Sequence, residues 1–246
     1  MSKIAIIGGT GLTSLSGLAI SEREVVRTPW GEPSGPITHG TFGGHEVAFL
    51  ARHGSGHTIP PHKVNYRSNI WALKKIGIES VVAVAAVGGI HADFKPTMIA
   101  IPNQIVDYTW SRGHTFFEDD LASVVHVDFT EPYCADLRAG LVRAAVDARV
   151  DALDWGTYAT SQGPRLESAA EIDKLERDGC HMVGMTGMPE AGLAREAGLR
   201  YAHCAVVVNA AAGRGAATIT MEDIEKNLKV GMRSTLKLLE SFLRAL

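Results

Sequence analysis

Four stretches of the chain are mostly apolar without polar residues at alternate positions: Lys3–Ile7, Val81–Val87, Met98–Val106 and Ala202–Val208. A strand buried on both faces has that pattern, so each run predicts an interior strand. Two further runs, Thr38–Phe42 and Glu46–Ala51, flank Gly43-Gly44 and predict a hairpin. Between these runs, apolar residues recur at helical spacing. Asn65–Lys75 places Ile70, Leu73 and Ile76 on one side, and Ala135–Val150 does the same with Leu137, Leu141, Val142 and Ala145. Ser168 and Glu171 stand in capping-box spacing at the head of a helix over Ser168–Arg177. Pro189 opens a helix that ends at Ala197, before Gly198. From about Met221 onward, Ile224, Leu228, Met232, Leu236, Leu239 and Leu243 form one stripe on a last helix. Strands alternating with helices predict an α/β fold, a central mixed β-sheet flanked by helices. No linker-like or repetitive segment interrupts the pattern, so residues 1–246 are expected to form a single domain.

The 246 residues, 46 % apolar and 21 % charged, can build a full core, which excludes disordered and disulfide-stapled classes. A net charge of −3 leaves no basic surplus for a nucleic-acid backbone but permits a local pocket for a small anion. Cys134, Cys180 and Cys204 are odd in number and lack CxxC spacing, so they are read as reduced thiols of a cytoplasmic protein. The IAIIGG run is too short for a signal-peptide core, and Val81–Val87 is far below membrane-spanning length.

Five motifs carry possible chemistry. Gly8-Gly9-Thr10-Gly11 follows a predicted strand, and its backbone N–H groups could hold an anion. A dinucleotide fingerprint would need a third glycine where Ser14 stands, so a plain tight turn and a phosphate loop using the Thr10 hydroxyl both remain open. Arg52-His53-Gly54 suits a dianion, with a planar fork and a second donor converging. A solvated loop is the alternative, and His53, His57 and His62 lack the further ligands that zinc needs. Gln162-Gly163-Pro164-Arg165-Leu166-Glu167 ends at a helix start, where Glu167 either serves the helix dipole or points into a pocket. Met185 and Thr186 precede a helix, as pocket lining or as core. Asn209 follows a buried strand run, where its amide needs partners, whether in a site or in a turn.

In this order and spacing the motifs resemble one family, the trimeric nucleoside phosphorylases, and more narrowly their methylthioadenosine phosphorylase branch. The most specific stretch is ARHGSGHTIPPHKVNYRSNIWALK, residues 51–74; HVDFTEPYC, QGPRLES and GMTGMPEAGLAREAGL add to it. The resemblance implies cleavage of a nucleoside's N-glycosidic bond by phosphate, giving a purine and a sugar 1-phosphate. It assigns phosphate binding to Thr10, Arg52, His53 and Thr186 with the chain at Ala85 and Ala86, and places Met185 under the sugar. The methylthioadenosine enzymes carry Thr where this chain has Ala85, so one hydroxyl contact is missing. His126 matches a histidine that the family contributes from a neighbouring subunit, which implies shared active sites and a homotrimer. Phosphate is a co-substrate, and no metal or organic cofactor is implied.

The base pocket departs from the adenine branch. That branch has Asp at the positions of Asn209 and Ala211 and Ser at Glu167; the 6-oxopurine enzymes have the Asn and the Glu. A 6-oxopurine offers N1–H as a donor and O6 as an acceptor, which Glu167 and Asn209 complement. Adenine offers the reverse and would leave polar groups unpaired. Met221, with Ile224 one turn on, falls where ordinary purine nucleoside phosphorylases hold a histidine for the 5′-hydroxyl, and an apolar residue suits a methylthio group. Leu166, Ala211 and His57 complete the expected substrate-binding set. The expected reaction is phosphorolysis of a 5′-methylthio nucleoside of hypoxanthine, with Asn209, Glu167 and His53 as catalytic residues. Inosine or guanosine phosphorolysis, methylthioadenosine phosphorolysis and a non-catalytic purine-binding role are the alternatives.

Overall fold

The computed structural model describes residues 3–119, 121–215 and 218–246. Its spine is a mixed sheet in the order β2 (Ala19–Glu24), β3 (Ile37–Phe42), β4 (His45–Ala51), β1 (Ile4–Gly8), β5 (Ser80–Gly89), β10 (Met182–Gly184), β9 (Thr157–Thr160), β7 (Gln104–Asp107). The sheet forks at β5. One edge takes β1 against Ser80–Ala83 and then β10 against Gly88 and Gly89, while the other takes β11 (Arg200–Ala210) along its whole length. Beyond β11 lie two short strands, β6 (Ile99–Ala100) and β8 (Ala152–Leu153).

The consecutive apolar runs become doubly buried strands because helices cover both faces. Ile4, Ile6, Val82, Val84, Cys204 and Val206 pack with Leu141 of α2 (Ala135–Asp147) and with Leu228, Met232 and Leu239 of α5 (Met221–Arg244). The alternate residues Ala5, Ile7, Val81, Ala83 and Tyr201 pack with Ile70 and Leu73 of α1 (Tyr66–Lys75) and Leu193 of α4 (Gly187–Glu196). The stripe on α5 is therefore its core face, and Gly231 lets that helix press against Val206 where a Cβ would collide. Ser168 caps α3 (Ala169–Arg177) through a complete capping box with Glu171.

Two expectations change. The run Met98–Val106 is two strands, not one: β6 pairs antiparallel with β11 and β7 parallel with β9. Pro102 between them has no N–H for a ladder, and the chain switches partners there. In keeping with the missing third glycine, no helix follows Gly11 among the described residues; the next regular element is β2. The last strand runs through Asn209 instead of ending before it. In α4, Met188 has extended geometry, so the regular helix starts at Pro189, as its position predicts.

Candidate active site

One cavity of about 430 Å³ opens where β1, β4, β5, β10 and β11 end, the usual ligand position in open α/β sheets. Gly9 and Thr10 reach it from the turn after β1, and Arg52 and His53 from the end of β4. Ala85 and Ala86 form its floor on β5. Met185 and Thr186 enter after β10, Leu166 and Glu167 from the turn before α3, and Asn209 and Ala211 at the end of β11. His57, Met221 and Ile224 close the list of expected residues in the wall, with Met221 66 % exposed at the first position of α5. His126 is the exception: it is exposed, in the irregular segment between β7 and α2, and does not line this cavity. His62 does not line it either, and among the described residues no group of three or more His, Cys, Asp or Glu could hold a metal ion.

Most of the Arg52 fork is committed to the protein and not to the cavity. Nε and Nη2 donate to Glu190 Oε2 and Oε1 at 2.7 and 2.8 Å, and Nη1 donates to the Val84 carbonyl at 2.8 Å. Both side chains are 0 % exposed. Burial, the largest single influence, pushes the Arg52 pKa down, but the Glu190 charge and hydrogen bonds, with Tyr201 and Tyr66, together outweigh it and the net direction is up. Glu190 Oε1 also accepts from the Tyr201 hydroxyl at 2.8 Å. Two guanidinium N–H groups have no partner among the described residues. Gly9 is what lets the guanidinium in: a Cβ there would lie 2.7 Å from the Val84 carbonyl oxygen and 2.8 Å from Arg52 Nη1.

His53 reverses its expected polarity. Its Nδ1 lies 2.7 Å from the Ile59 carbonyl, an acceptor, so Nδ1 carries the proton and donates. Burial first, and then the Arg52 charge, pull its pKa down to about 4, so the ring is neutral near pH 7. Neutral with Nδ1 protonated, it offers a lone pair at Nε2 and not a second donor. Thr186 supplies the clearest free hydrogen-bonding group: its buried Oγ1 has no partner among the described residues.

The opposite end of the cavity is polar in a different way. Glu167 stands just before the Ser168 cap, and Glu171, not Glu167, serves the helix start. That leaves Glu167 free to line the cavity, where Oε1 accepts from Ser161 Oγ at 2.5 Å. Asn209 sits at a β-bulge, where the register with β5 slips between Val207 and Asn209. Asn209 pairs with Gly88, three residues along β5 from Ala85, which separates the two ends by roughly 10 Å. Its Nδ2 donates to the Ala210 carbonyl at 2.7 Å, leaving Oδ1 and one N–H.

Sequence reasoning passed over three residues here: Glu190, Ser161 and Arg112. Arg112 donates to the carbonyls of Met185, Met188 and Gln162 at 2.9, 2.7 and 2.8 Å and lies over the Tyr66 ring. It ties the turn carrying Glu167 to the segment carrying Met185. Glu190, an acid between buried Pro189 and Ala191, had a legible signal; Arg112 and Ser161 had none.

Acid should destabilise this protein early. His203 is pushed down to about 3, by burial and then the Arg52 charge, and burial also lowers His57 and His181, while His114, bonded to Asp107, is raised. As pH falls from the usual 6.5 towards 4, the unfolded chain takes up protons that folded His53 and His203 refuse, so stability falls with pH in that window. Thermal midpoints across pH 7 to 4 are expected to drop before the carboxylates titrate; a flat profile down to pH 4.5 would refute this.

The sequence profile of the Phosphorylase superfamily matches residues 3–244. A probable S-methyl-5′-thioinosine phosphorylase of Pseudomonas syringae pv. tomato is 56 % identical over 232 residues, 94 % of each chain. A 6-oxopurine nucleoside phosphorylase of Pyrococcus furiosus is 44 % identical over 245 residues, covering 97 % of this chain and 91 % of that one. Among solved structures, methylthioadenosine phosphorylase from Schistosoma mansoni in complex with adenine superposes with a TM-score of 0.95 at 30 % identity, over 100 % of this chain and 92 % of that one. Strand order and sequence thus agree along nearly the whole length, and the chain belongs to the Phosphorylase superfamily.

Proposed function

We propose that the protein is an S-methyl-5′-thioinosine phosphorylase, a pentosyltransferase that releases hypoxanthine and 5-methylthioribose 1-phosphate. The observation that carries the reading is the pairing of Glu167 and Asn209 in one cavity with Thr10, His53 and Thr186. The first pair complements N1–H and O6 or N7 of a 6-oxopurine. The second group, backed by the Arg52 charge, holds phosphate, and the sugar lies between them over Met185. A phosphate oxygen attacks C1′ while the C1′–N9 pair of electrons leaves with the purine, through an oxocarbenium-like transition state. His53 accepts the O–H of monohydrogen phosphate at Nε2 and so orients the nucleophile. Asn209 stabilises the negative charge growing on the purine, and the proton that monohydrogen phosphate gives up on forming the sugar ester ends on the departing base. Phosphate is the co-substrate, and no metal or organic cofactor enters the scheme.

His126 belongs to this reading through a second copy of the chain. It is exposed, and Val124, Val125 and Val127 beside it are exposed apolar residues, which supports a homotrimer with shared sites. The three free cysteines support a reducing, cytoplasmic setting. Among the described residues no helix is long and apolar enough to cross a membrane.

Inosine and guanosine are the second reading. The exposure of Met221 favours it, because a half-open apolar contact discriminates weakly against a 5′-hydroxyl. Phosphate-dependent base release from methylthioinosine, methylthioadenosine, inosine and adenosine, measured side by side, decides between them. Methylthioinosine is expected first. Equal turnover of inosine would remove the Met221 argument, and methylthioadenosine in first place would overturn the base assignment. Binding without turnover of any of the four would leave a purine-binding protein.

A further inference from the structure

Ser161 is the first residue after β9, and its backbone is held from two sides. Its N–H donates to the Gly184 carbonyl at 2.8 Å. Its own carbonyl and that of Gln162 accept from Arg112 Nη2 at 3.4 and 2.8 Å, and Gln162 Oε1 accepts from Arg112 Nε at 3.2 Å. The hydroxyl therefore emerges at a fixed place. Its single proton has two acceptors in reach: Glu167 Oε1 at 2.5 Å, and the Gly184 carbonyl at 3.4 Å, which the Ser161 N–H already occupies. The proton goes to Glu167.

That bond sets what the cavity offers a ligand. With Oε1 held by the Ser161 hydroxyl, the side chain cannot turn its oxygens freely, and the second oxygen stays aimed as an acceptor. Without this partner the carboxylate loses that orientation, and its acceptor no longer meets a ring N–H squarely.

We propose that Ser161 is a specificity-determining residue, which by donating to Glu167 Oε1 holds Glu167 as an oriented acceptor and so selects purines with N1–H over purines whose N1 is bare. The inference rests on the reading that Glu167 meets the N1 edge of the base. Ser161 does not line the cavity, so it acts through Glu167 and not by contact.

The test is kcat/KM for methylthioinosine and for methylthioadenosine in Ser161→Ala and Ser161→Thr, with the KM for phosphate as a control. Ser161→Ala is expected to lower the 6-oxo to 6-amino ratio by about tenfold or more, with the phosphate KM unchanged, and Ser161→Thr to restore the ratio. Should the alanine variant fold poorly, Ser161→Cys, a near-isostere with a weak donor, is expected to shift the ratio the same way. An equal loss for both nucleosides, or an unchanged ratio, overturns the proposal. Glu167→Gln separates the two claims. If it moves the ratio while Ser161→Ala does not, only the role of Ser161 falls. If neither moves it, the Glu167 reading falls too.

Discussion

In Arg52→Met, the unfolding free energy at neutral pH is expected to fall by about 3–5 kcal/mol, the usual result of removing one partner from a buried ion pair. The reason is what stays behind. Glu190 is 0 % exposed and would keep only the Tyr201 hydroxyl as a partner. The same variant is expected to raise the KM for phosphate by about 10- to 100-fold, the worth of one charge-assisted interaction. Arg52→Met with Glu190→Leu distinguishes the two effects: an apolar pair restores stability but not the phosphate KM. Denaturant unfolding at pH 7 and phosphate saturation curves measure both. A single variant within 1 kcal/mol of wild type would show that the pair is not the anchor of this wall.

Asn209→Asp together with Glu167→Ser is expected to reverse the base preference. Each buried polar mismatch costs about 1–3 kcal/mol, so a mismatch at each of two positions, about 2–6 kcal/mol, changes the 6-oxo to 6-amino ratio by roughly 30- to 3 × 10⁴-fold. Neither substitution touches the Arg52–Glu190 pair, so the phosphate KM and the thermal midpoint should stay near wild type. The ratio of kcat/KM for methylthioinosine and methylthioadenosine is the readout. An unchanged ratio would mean that the base is read elsewhere, and the assignment of the pocket would fail with it.

Arg52 and His53 mark the boundary between what the chain spells out and what folding adds. Their place at the end of a strand, in a glycine-flanked turn, is local, and the residue pattern identifies it. Their hydrogen bonds are not local. The Arg52 fork is filled by a residue 138 positions away, and the His53 donor by the carbonyl of Ile59 six positions on. A fork and a donor expected to face an anion thus spend most of their hydrogen bonds on the wall, and the Thr186 hydroxyl and two leftover guanidinium N–H groups have no partner among the described residues.

The fold shows the same division. The doubly buried strands, the hairpin and the five α-helices among the described residues announce themselves because each depends on a pattern within a dozen or so residues. The short strands β8, β9 and β10 do not, since two to four residues carry no period and exist only by pairing with distant partners. The split at Pro102 belongs there too, because what separates β6 from β7 is a change of partner strand. Among the site residues, the sequence by itself determined which chemistry stands at each strand end: Thr10, Arg52, Glu167, Thr186 and Asn209. Only the tertiary structure decided which way their donors and acceptors face, through Glu190, Ile59, Ser161 and Arg112. Residue type sets how many hydrogen bonds a side chain makes, but a buried group spends them on whatever the fold brings within about 3 Å, and sequence distance does not encode that.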